Sequence, residues 1–421
     1  MKHSIVYRNS DNHWDNALPL GNGCFGTMVY YEKNRLYMPM NHYEVYYNIA
    51  ENVLPSDMFA ASKPAAEPGK LQKRFTERAI AGQPPKGEPF TCYRTPRNNA
   101  ADRESTAGNF LGSHPKTGDL IFNFCGCMHD ADEKLALYVE DAKTVLSLEH
   151  ENKKVCVETV VAREDCLINR VNQSTSGLLY SAELEISPQR ALEMPHAEYK
   201  TIDEKTFAYT VTRKLGAKTF VFSGIIRLVG AEGELVLKKH SAELILKNTE
   251  KEFYILTGVF TEFRYKNTLL EGLAVMNGYE ANIPELYLSH KKYWDEFFSR
   301  SSITLPDKFI EHVYYVNQYA LDCCSGRDGI MKHHACGLNG LWDVRHPSLW
   351  GSVWYWDVNI QAAFAGVFSS NRLELAKVFS DVISFREHRT RNSLSKHPAV
   401  SMSCLWFPEI RRRTVPHCSK V

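Results

Sequence analysis

The first 280 residues alternate between apolar and polar side chains in short runs, and this period of two constrains the fold more than any other feature. Such alternation is typical of β-strands that have one face on a core. Clusters of Gly, Asn, Asp or Lys separate many runs, and no amphipathic helical pattern lies between them. The pattern predicts a β-sandwich and disfavours a parallel α/β sheet. The predicted strands are Val155–Ala162, Leu178–Ile186, Thr206–Arg213, Phe220–Leu228 and Phe253–Phe260.

One long interval interrupts this alternation. Leu54 to Gly118 contains eight of the eighteen prolines and has little periodicity. We expect a loop insertion at 54–118 inside a sandwich domain that covers 1–280. The sequence leaves open whether this insertion has a function or is only a surface addition.

The period changes near Glu280 from that of strands to that of helices. Apolar residues at helical spacing predict a linker helix within 281–305 and helices of a second domain after it. Leu305-Pro306-Asp307 is expected to end one element and begin the next. Asn371 is expected to cap a further helix. The supporting residues are Leu286, Tyr293, Trp294 and Phe297, then Phe309, Val313, Val316 and Ala320, then Leu373, Leu375, Val378, Phe379 and Val382.

Composition narrows the class of protein. Lys and Arg total 50 against 49 Asp and Glu, which argues against a nucleic-acid or membrane-surface protein. No run of about 18 apolar residues is present, which argues against a membrane span. The start Met1-Lys2-His3-Ser4 has no apolar signal region, and eleven scattered Cys suit reduced thiols. We therefore expect a cytoplasmic protein.

The last residues have a different charge from the rest. Residues 386–421 contain eight Lys or Arg and two Glu, a net charge of +6, and the helical pattern stops there. A basic arm for nucleic acid, a surface extension, and a non-native continuation caused by a frameshift are three interpretations. Trp406 and Phe407 are unusual in a basic arm, and we favour the third interpretation, with no nucleic-acid partner.

The densest group of candidate functional residues lies between Gly337 and Gln361. Trp side chains stand there among amides, carboxylates and a histidine, and sugars need both flat aromatic platforms and directional hydrogen-bond partners. A Trp-rich packing interface between helices is the alternative. Asp357, Asn359 and Gln361 alternate, so an extended entry into a helix would direct all three to one ligand. The candidate ligand-binding residues are Asn339, Trp342, His346, Trp350, Trp354, Trp356 and Gln361, with Asp357 and Asn359 as catalytic candidates.

Three other motifs carry weaker signals. Leu20-Gly21-Asn22-Gly23-Cys24-Phe25-Gly26 resembles a phosphate loop only loosely and is better explained as a turn before a strand at Thr27–Tyr31. Cys323, Cys324, His333, His334 and Cys336 fit no zinc-ligand spacing. The Cys125-Gly126-Cys127 pair is weaker still as a metal site. We therefore predict no metal and no cofactor.

Three places in the chain together resemble glycoside hydrolase family 95, the inverting α-L-fucosidases, and its relatives. The first place combines Trp14, Ala17–Gly23 and Gly26–Val29 with Asn41-His42-Tyr43-Glu44. The second runs from His290-Lys291-Lys292-Tyr293-Trp294 through Phe297 and Arg300 to Leu305-Pro306-Asp307. The third and most specific is Gly337–Trp342, together with Trp350-Gly351-Ser352 and Asp357–Gln361. The resemblance covers nearly all of residues 1–385.

The resemblance implies a sandwich, a helical linker and an (α/α)6 barrel that hydrolyses terminal glycosides with inversion. In that family a Glu is the general acid, and an Asp oriented by an Asn-x-Asn motif assists the attacking water. Asp357 and Asn359 match the motif by position, with Asp where the family has its first Asn. We expect Asp357 to bind or activate the water, or to contact a sugar hydroxyl, and Asn359 to orient it.

A complete barrel of this kind is longer than the part of the chain after the linker. Twelve helices with their connections need roughly 200 residues, whereas 116 residues come after Leu305. We therefore expect an incomplete barrel at 306–385 and a chain without its general acid. The predicted function is glycoside hydrolysis on an oligosaccharide or glycoside substrate. A non-catalytic carbohydrate-binding protein and another sandwich-plus-barrel glycosidase or phosphorylase are the alternatives, and the sequence does not give the oligomeric state.

Overall fold

The computed structural model describes residues 3–8, 16–45, 116–186, 196–215, 218–239, 241–326, 337, 340–342 and 358–378. More of these residues are in β-strands than in helices. The strands are β1 Ser4–Arg8, β2 Leu18–Gly21, β3 Phe25–Glu32, β4 Arg35–His42, β5 Lys116–Phe124, β6 Asp132–Tyr138, β7 Lys143–His150, β8 Lys153–Val161, β9 Cys166–Gln173, β10 Leu179–Glu185, β11 His196–Asp203, β12 Thr206–Leu215, β13 Lys218–Val229, β14 Glu232–Leu237, β15 Ser241–Lys247 and β16 Glu252–Thr261. The helices are α1 Thr268–Ala281, α2 Ile283–Ser299, α3 Lys308–Cys323 and α4 Val358–Phe364.

The described strands form two antiparallel sheets. One has the order β1-β6-β7-β8-β9-β16-β13-β12-β11, and the other has the order β14-β15-β10-β5-β4-β3-β2. Met38 and Phe122 of the second sheet share one buried core with Phe222 and Ile255 of the first. The β-sandwich predicted from the alternation is confirmed, and each predicted strand is present within a few residues of its expected bounds. The chain is mostly β-structure with few helices in the part that is described.

The interval predicted as an insertion lies mostly outside the described residues. β4 ends at His42, and β5 begins at Lys116, two residues before the predicted end of the loop. These two strands pair directly with each other, from Arg35 opposite Asn123 to Asn41 opposite Lys116. The predicted insertion therefore separates, along the chain, two strands that are neighbours in one sheet.

Helix α1 covers the outer face of the nine-stranded sheet. Met276 of α1 is fully buried in a second core with Ile225, Leu256 and Phe260. A Cβ on Gly272 would lie 2.6 Å from the Phe260 ring, so the glycine allows the helix to approach the sheet closely. The Asn267 side chain caps α1 by accepting from the Leu270 N–H at 2.9 Å.

Helix α2 forms the aromatic centre of the helical part. Trp294 is 1% exposed and packs edge-on against Phe297, with ring centroids 5.5 Å apart. The His290 Nε2 donates to the Asp141 carbonyl at 2.9 Å, which ties α2 to the turn between β6 and β7. The helix predicted from Leu286, Tyr293, Trp294 and Phe297 is thus present as Ile283–Ser299. The linker boundaries 281–305 stay a prediction.

Helix α3 begins where the sequence predicts, but it buries a different face. Asp307 caps it by accepting from the Phe309 and Ile310 N–H groups. Phe309 and Val313, which belong to the apolar spacing that predicts this helix, are 73% and 36% exposed. The buried face carries Glu311, Tyr315, Gln318, Tyr319, Asp322 and Cys323.

Hydrogen bonds explain why this polar face of α3 is buried. The Tyr315 hydroxyl donates to the Ile303 carbonyl at 3.1 Å, and Glu311 accepts from the Leu305 N–H at 2.6 Å. Asp322 accepts from the Tyr293 hydroxyl at 2.9 Å. Burial of such groups is tolerated when they are paired. The apolar spacing alone therefore does not identify the face that α3 buries.

The end of the described chain corrects the predicted cap at Asn371. Residues 373–378 are helical, and the Arg372 carbonyl accepts their first helical hydrogen bonds. Asn371 precedes this cap position with φ 56°, and its side-chain amide donates to the Arg300 carbonyl at 3.0 Å. Phe379 and Val382 lie outside the described residues. The described helices do not establish an (α/α)6 barrel, and the domain at 306–385 and the tail at 386–421 stay predictions. None of the helices that the structure describes is long and apolar enough to cross a membrane.

Candidate functional site

The glycine-rich turn between β2 and β3 is built by the side chain of Asn22. Its Oδ1 accepts from the N–H groups of Cys24 at 2.9 Å and Phe25 at 2.8 Å. Its Nδ2 donates to the Ala162 carbonyl at 2.7 Å and to Asp165 at 2.9 Å. An Asn that bonds its own following backbone in this way stabilises a turn. The strand that the sequence predicts after this turn is present as β3.

This turn docks on the C-terminal end of α3. The Gly23 N–H donates to the Cys323 carbonyl at 2.7 Å. Gly23 has φ +90°, and a Cβ there would lie 2.3 Å from the Ser325 carbonyl oxygen. A Cβ on Gly21 would lie 2.6 Å from the Cys323 carbonyl oxygen. Close backbone approach therefore accounts for these two glycines. The amides of Gly23, Cys24 and Phe25 are all engaged within the protein, which disfavours the phosphate-loop interpretation.

The segment 340–342 closes the same surface. Its Trp342 Nε1 donates to the Leu20 carbonyl at 3.0 Å, and the Tyr319 hydroxyl of α3 donates to the Pro19 carbonyl at 2.7 Å. Both acceptors belong to β2, the edge strand of the seven-stranded sheet. Covering an edge strand removes a place where another chain could pair. The partly buried Trp342 thus lies where the sandwich and the helical segment meet.

A buried ionic cluster lies beside the turn, centred on Arg264. Its Nε donates to Glu44 at 2.6 Å, one Nη to Asp165 at 2.5 Å, and the other Nη to the Cys24 sulfur at 2.9 Å. The Glu44 side chain is 1% exposed and also accepts from the Thr261 hydroxyl. The cluster connects the turn before β3, the segment after β4, the β8–β9 turn and the segment after β16.

The environment sets the charges of this cluster. Burial lowers the pKa of His42, so its imidazole is neutral. The His42 Nδ1 accepts from the Glu44 N–H at 3.3 Å, which places the ring proton on Nε2. Burial and then Asp165 raise the pKa of the Cys24 thiol. Burial alone would raise the pKa of Asp165, but the Arg264 charge and hydrogen bonds from Arg264 and Asn22 lower it.

Donor atoms of Cys24, His42 and Asp165 lie within 4.8 Å of one another, as metal ligands do. Arg264 already pairs with Asp165 and contacts the Cys24 sulfur. A metal ion would have to displace a guanidinium that also binds Glu44. The donor set therefore fits a structural ion cluster better than a metal centre. Of the zinc candidates weighed from the sequence, Cys323 and Cys324 are buried, and His333, His334 and Cys336 lie outside the described residues.

Neutral buried histidines should make stability depend on pH. Burial lowers the pKa values of His42 and His290 below about 6.5, the value of an unfolded histidine. The unfolded chain then binds more protons just below that pH, so the free energy of unfolding falls as the solution is acidified from about pH 7.5 to about pH 5. We expect His42→Gln to reduce this dependence in urea-unfolding measurements.

The comparison with the unsubstituted chain isolates the histidine contribution. Burial raises the pKa of Asp119 and of Glu185. Protonation of these two carboxyl groups therefore raises the free energy of unfolding as pH falls, which is opposite to the effect of the histidines. A His42→Gln variant that keeps the same pH dependence as the unsubstituted chain would contradict a neutral His42 in the folded state.

Only three of the sequence-predicted site residues are described. Trp342 contacts β2, whereas Asn359 and Gln361 lie on α4, where Asn359 is half-buried and Gln361 exposed. Residues two apart on a helix point about 200° apart. The prediction that Asn359 and Gln361 reach one ligand from an extended segment is therefore wrong, because both residues are helical. The remaining candidates, Asn339, His346, Trp350, Trp354, Trp356 and Asp357, lie outside the described residues.

Sequence reasoning did not identify the Arg264 cluster as a structural unit. Arg264 follows a strand and is close to the charged residues Glu262 and Lys266, a composition typical of a surface turn. The residues Asn41–Glu44 entered only through the family resemblance. No spacing rule links Glu44 to a residue 220 positions later in the chain.

No family model matches this chain, and no curated protein matches it. Solved structures with limited likeness to it include the following three. A protein described as a kojibiose phosphorylase from the human microbiome is 11% identical with a TM-score of 0.44, over 80% of this chain and 43% of its own. A family GH92 glycosyl hydrolase is 10% identical with a TM-score of 0.31, over 52% and 31%. A family GH92 α-mannosidase from Bacteroides thetaiotaomicron is 10% identical with a TM-score of 0.25, over 54% and 32%.

The chain spans less than half of the length of each of these structures. The likenesses are too weak to assign a function. The resemblance to family 95 stays a prediction.

Proposed function

We propose that this chain binds a terminal glycoside beside the glycine-rich turn and supplies the water-activating half of an inverting hydrolysis, which suffices for aryl glycosides because their leaving group departs without a general acid. The supporting observation is the contact of Trp342 with Leu20 at 3.0 Å, which attaches the start of the Trp- and amide-rich segment to the sandwich. A half-buried indole next to polar groups is the kind of surface that binds a sugar ring. We assign Trp342, Asp357 and Asn359 to this site from the sequence pattern.

Asp357 is the residue that we assign to the attacking water. An inverting hydrolase uses one carboxylic acid to protonate the leaving oxygen and one carboxylate to activate water, about 6.5–9.5 Å apart. Asp357 immediately precedes α4, and Asn359 lies in its first turn. We assign Asn359 to orientation of Asp357 or of the water.

Two alternatives differ from hydrolysis in their requirements. A phosphorylase needs a phosphate-binding group next to the sugar, and the amides of the glycine-rich turn already have partners within the protein. A carbohydrate-binding protein needs only the aromatic and amide groups. A measurement of turnover therefore distinguishes hydrolysis from carbohydrate binding alone.

Hydrolysis of aryl α-fucosides and α-galactosides by the purified chain tests this function. Inversion predicts that the first sugar released has the β configuration, which proton NMR distinguishes before the anomers equilibrate. Binding detected by ligand-observed NMR without release of the aryl group would favour the carbohydrate-binding alternative. If the purified chain neither binds these glycosides nor releases the aryl group, the proposal is overturned.

Asp357→Asn is expected to lower turnover by about 100-fold or more, since a positioned acid or base contributes roughly 10²–10⁴ to the rate. The affinity for the glycoside should change much less, because the amide keeps the shape of the carboxyl group. Asp295→Asn is the matched control, because Asp295 is exposed on α2 and pairs only with Lys291 among the contacts described. Equal turnover in the Asp357 variant and the control would eliminate the assigned role.

A further inference from the structure

Two cysteines lie side by side in the turn between β5 and β6. The sequence Cys125-Gly126-Cys127 forms a single 3-10 turn over Gly126–Met128. The two sulfur atoms are 2.8 Å apart, with the Cys127 thiol donating to Cys125. Both side chains are half-buried, and Gly126 between them is exposed with open space around it. A small molecule can therefore reach the pair.

The backbone around the pair is fixed on three sides. The Cys125 N–H donates to the Leu178 carbonyl at 2.8 Å, and its carbonyl accepts from the Asn34 amide at 3.1 Å. Met128 is fully buried, and its N–H donates to the Cys125 carbonyl at 2.8 Å. The sulfur atoms thus meet without rearrangement of the sheets.

The two thiols are not equivalent. The hydrogen bond from the Cys127 thiol, joined by one from the Cys127 N–H at 3.4 Å, lowers the pKa of Cys125. The same thiol bond raises the pKa of Cys127. By contrast, burial raises the pKa of the enclosed thiols Cys24, Cys166 and Cys323. Cys125 is therefore the better nucleophile of the pair.

We propose that Cys125 and Cys127 form a thiol–disulfide exchange site that takes low-molecular-weight disulfides such as glutathione disulfide. The Cys125 thiolate attacks one sulfur of the reagent, whose S–S bond breaks and releases one thiolate. Cys127 then loses its proton to solvent and attacks the Cys125 sulfur, which releases the second thiolate. Both released thiolates take up protons. Two electrons pass from the protein dithiol to the reagent, and two thiols and one Cys125–Cys127 disulfide result.

Incubation of the chain with glutathione disulfide, followed by acid quenching, alkylation and peptide mass spectrometry, tests this site. The peptide with both cysteines should lose two hydrogen atoms in mass and escape alkylation. Cys127→Ser should stop at a glutathione adduct on Cys125. Cys125→Ser should react about tenfold more slowly, because the thiolate fraction governs attack. Cys156→Ser is the matched control, since Cys156 is a half-buried thiol whose pKa burial raises.

Peptide-level assignment separates this pair from the nine other cysteines of the chain. Circular dichroism on each variant confirms that the fold is kept, and the measurement on the unsubstituted chain does not depend on any substitution. A Cys125–Cys127 peptide that stays fully reduced in excess glutathione disulfide would overturn the proposal. So would equal adduct formation in the two single variants.

Discussion

Replacing Arg264 by Met is expected to lower the free energy of unfolding by about 3–5 kcal/mol, because it leaves buried carboxylates without their cation. Arg264 binds both Glu44 and Asp165, and the Glu44 side chain is 1% exposed. Met has a similar length and no charge, so the loss reflects the ionic contacts more than a cavity. Urea unfolding followed by circular dichroism measures the change.

A second substitution separates the ionic contribution from packing. Adding Glu44→Gln to the Arg264→Met background should restore part of the lost stability, because it removes one uncompensated buried charge. Arg170→Met is the matched control. Arg170 pairs with Glu252 at 2.7 Å, but these side chains are 44% and 39% exposed, so its loss should cost less than about 1 kcal/mol. Equal costs for the two Arg variants would mean that the buried cluster adds no stability of its own.

The strands of the sandwich could be predicted because one face of each packs on a core while the other faces water or a helix. Strand β12 illustrates this pattern, since Phe207 and Tyr209 are buried in the main core. Thr210 of β12 points to the opposite face, where its hydroxyl shares a hydrogen bond of 2.9 Å with the Ser223 hydroxyl of β13. Alternation is a local property of the sequence. It therefore identifies strands, but it does not give the order of strands within the two sheets.

The face that α3 buries could not be predicted from the sequence. Apolar spacing selected Phe309 and Val313, yet the buried face carries Tyr315 and Tyr319. Those tyrosines are buried because their hydroxyls bond the Ile303 and Pro19 carbonyls, which come from elsewhere in the chain. Periodicity does not register such long-range partners. The cap at Asp307 was predictable because a cap depends only on the next three residues.

The contact between the sandwich and the helical segment was also beyond sequence reasoning. The turn Leu20–Gly26 and Trp342 were each singled out, but for separate reasons. Their meeting depends on a hydrogen bond between residues 322 positions apart. Nothing in the spacing of glycines distinguishes a turn that binds phosphate from one that packs against a helix end.

Replacing Gly23 by Ala is expected to lower the free energy of unfolding by about 2–5 kcal/mol, as the sum of two costs. Its φ of +90° disfavours any residue with a Cβ, and that Cβ would lie 2.3 Å from the Ser325 carbonyl oxygen. The opposing atom is backbone, so it cannot move aside as a flexible side chain would. The turn must then separate from α3, and the hydrogen bond from the Gly23 N–H to Cys323 should lengthen or break.

Gly177→Ala separates these two costs. Gly177 has a similar φ of +83°, but a Cβ there would meet nothing within 4 Å. Its substitution should therefore cost only the conformational part, about 1–2 kcal/mol. Urea unfolding compares the two variants, and hydrogen exchange reports on the amide of Gly23. In the Gly23 variant we expect faster amide hydrogen exchange at the C-terminal end of α3, because this end of the helix loses its contact with the turn.

These measurements also bear on the proposed glycoside site. Trp342 is attached to Leu20 of β2, the strand that leads into the turn, so displacement of the turn should weaken sugar binding even though Gly23 need not touch the sugar. Gly177 is in the turn between β9 and β10, and its substitution should leave sugar binding unchanged. Equal destabilisation by the two glycine variants would mean that the turn does not pack closely on α3. Unchanged sugar binding in a destabilised Gly23 variant would separate the ligand site from this contact.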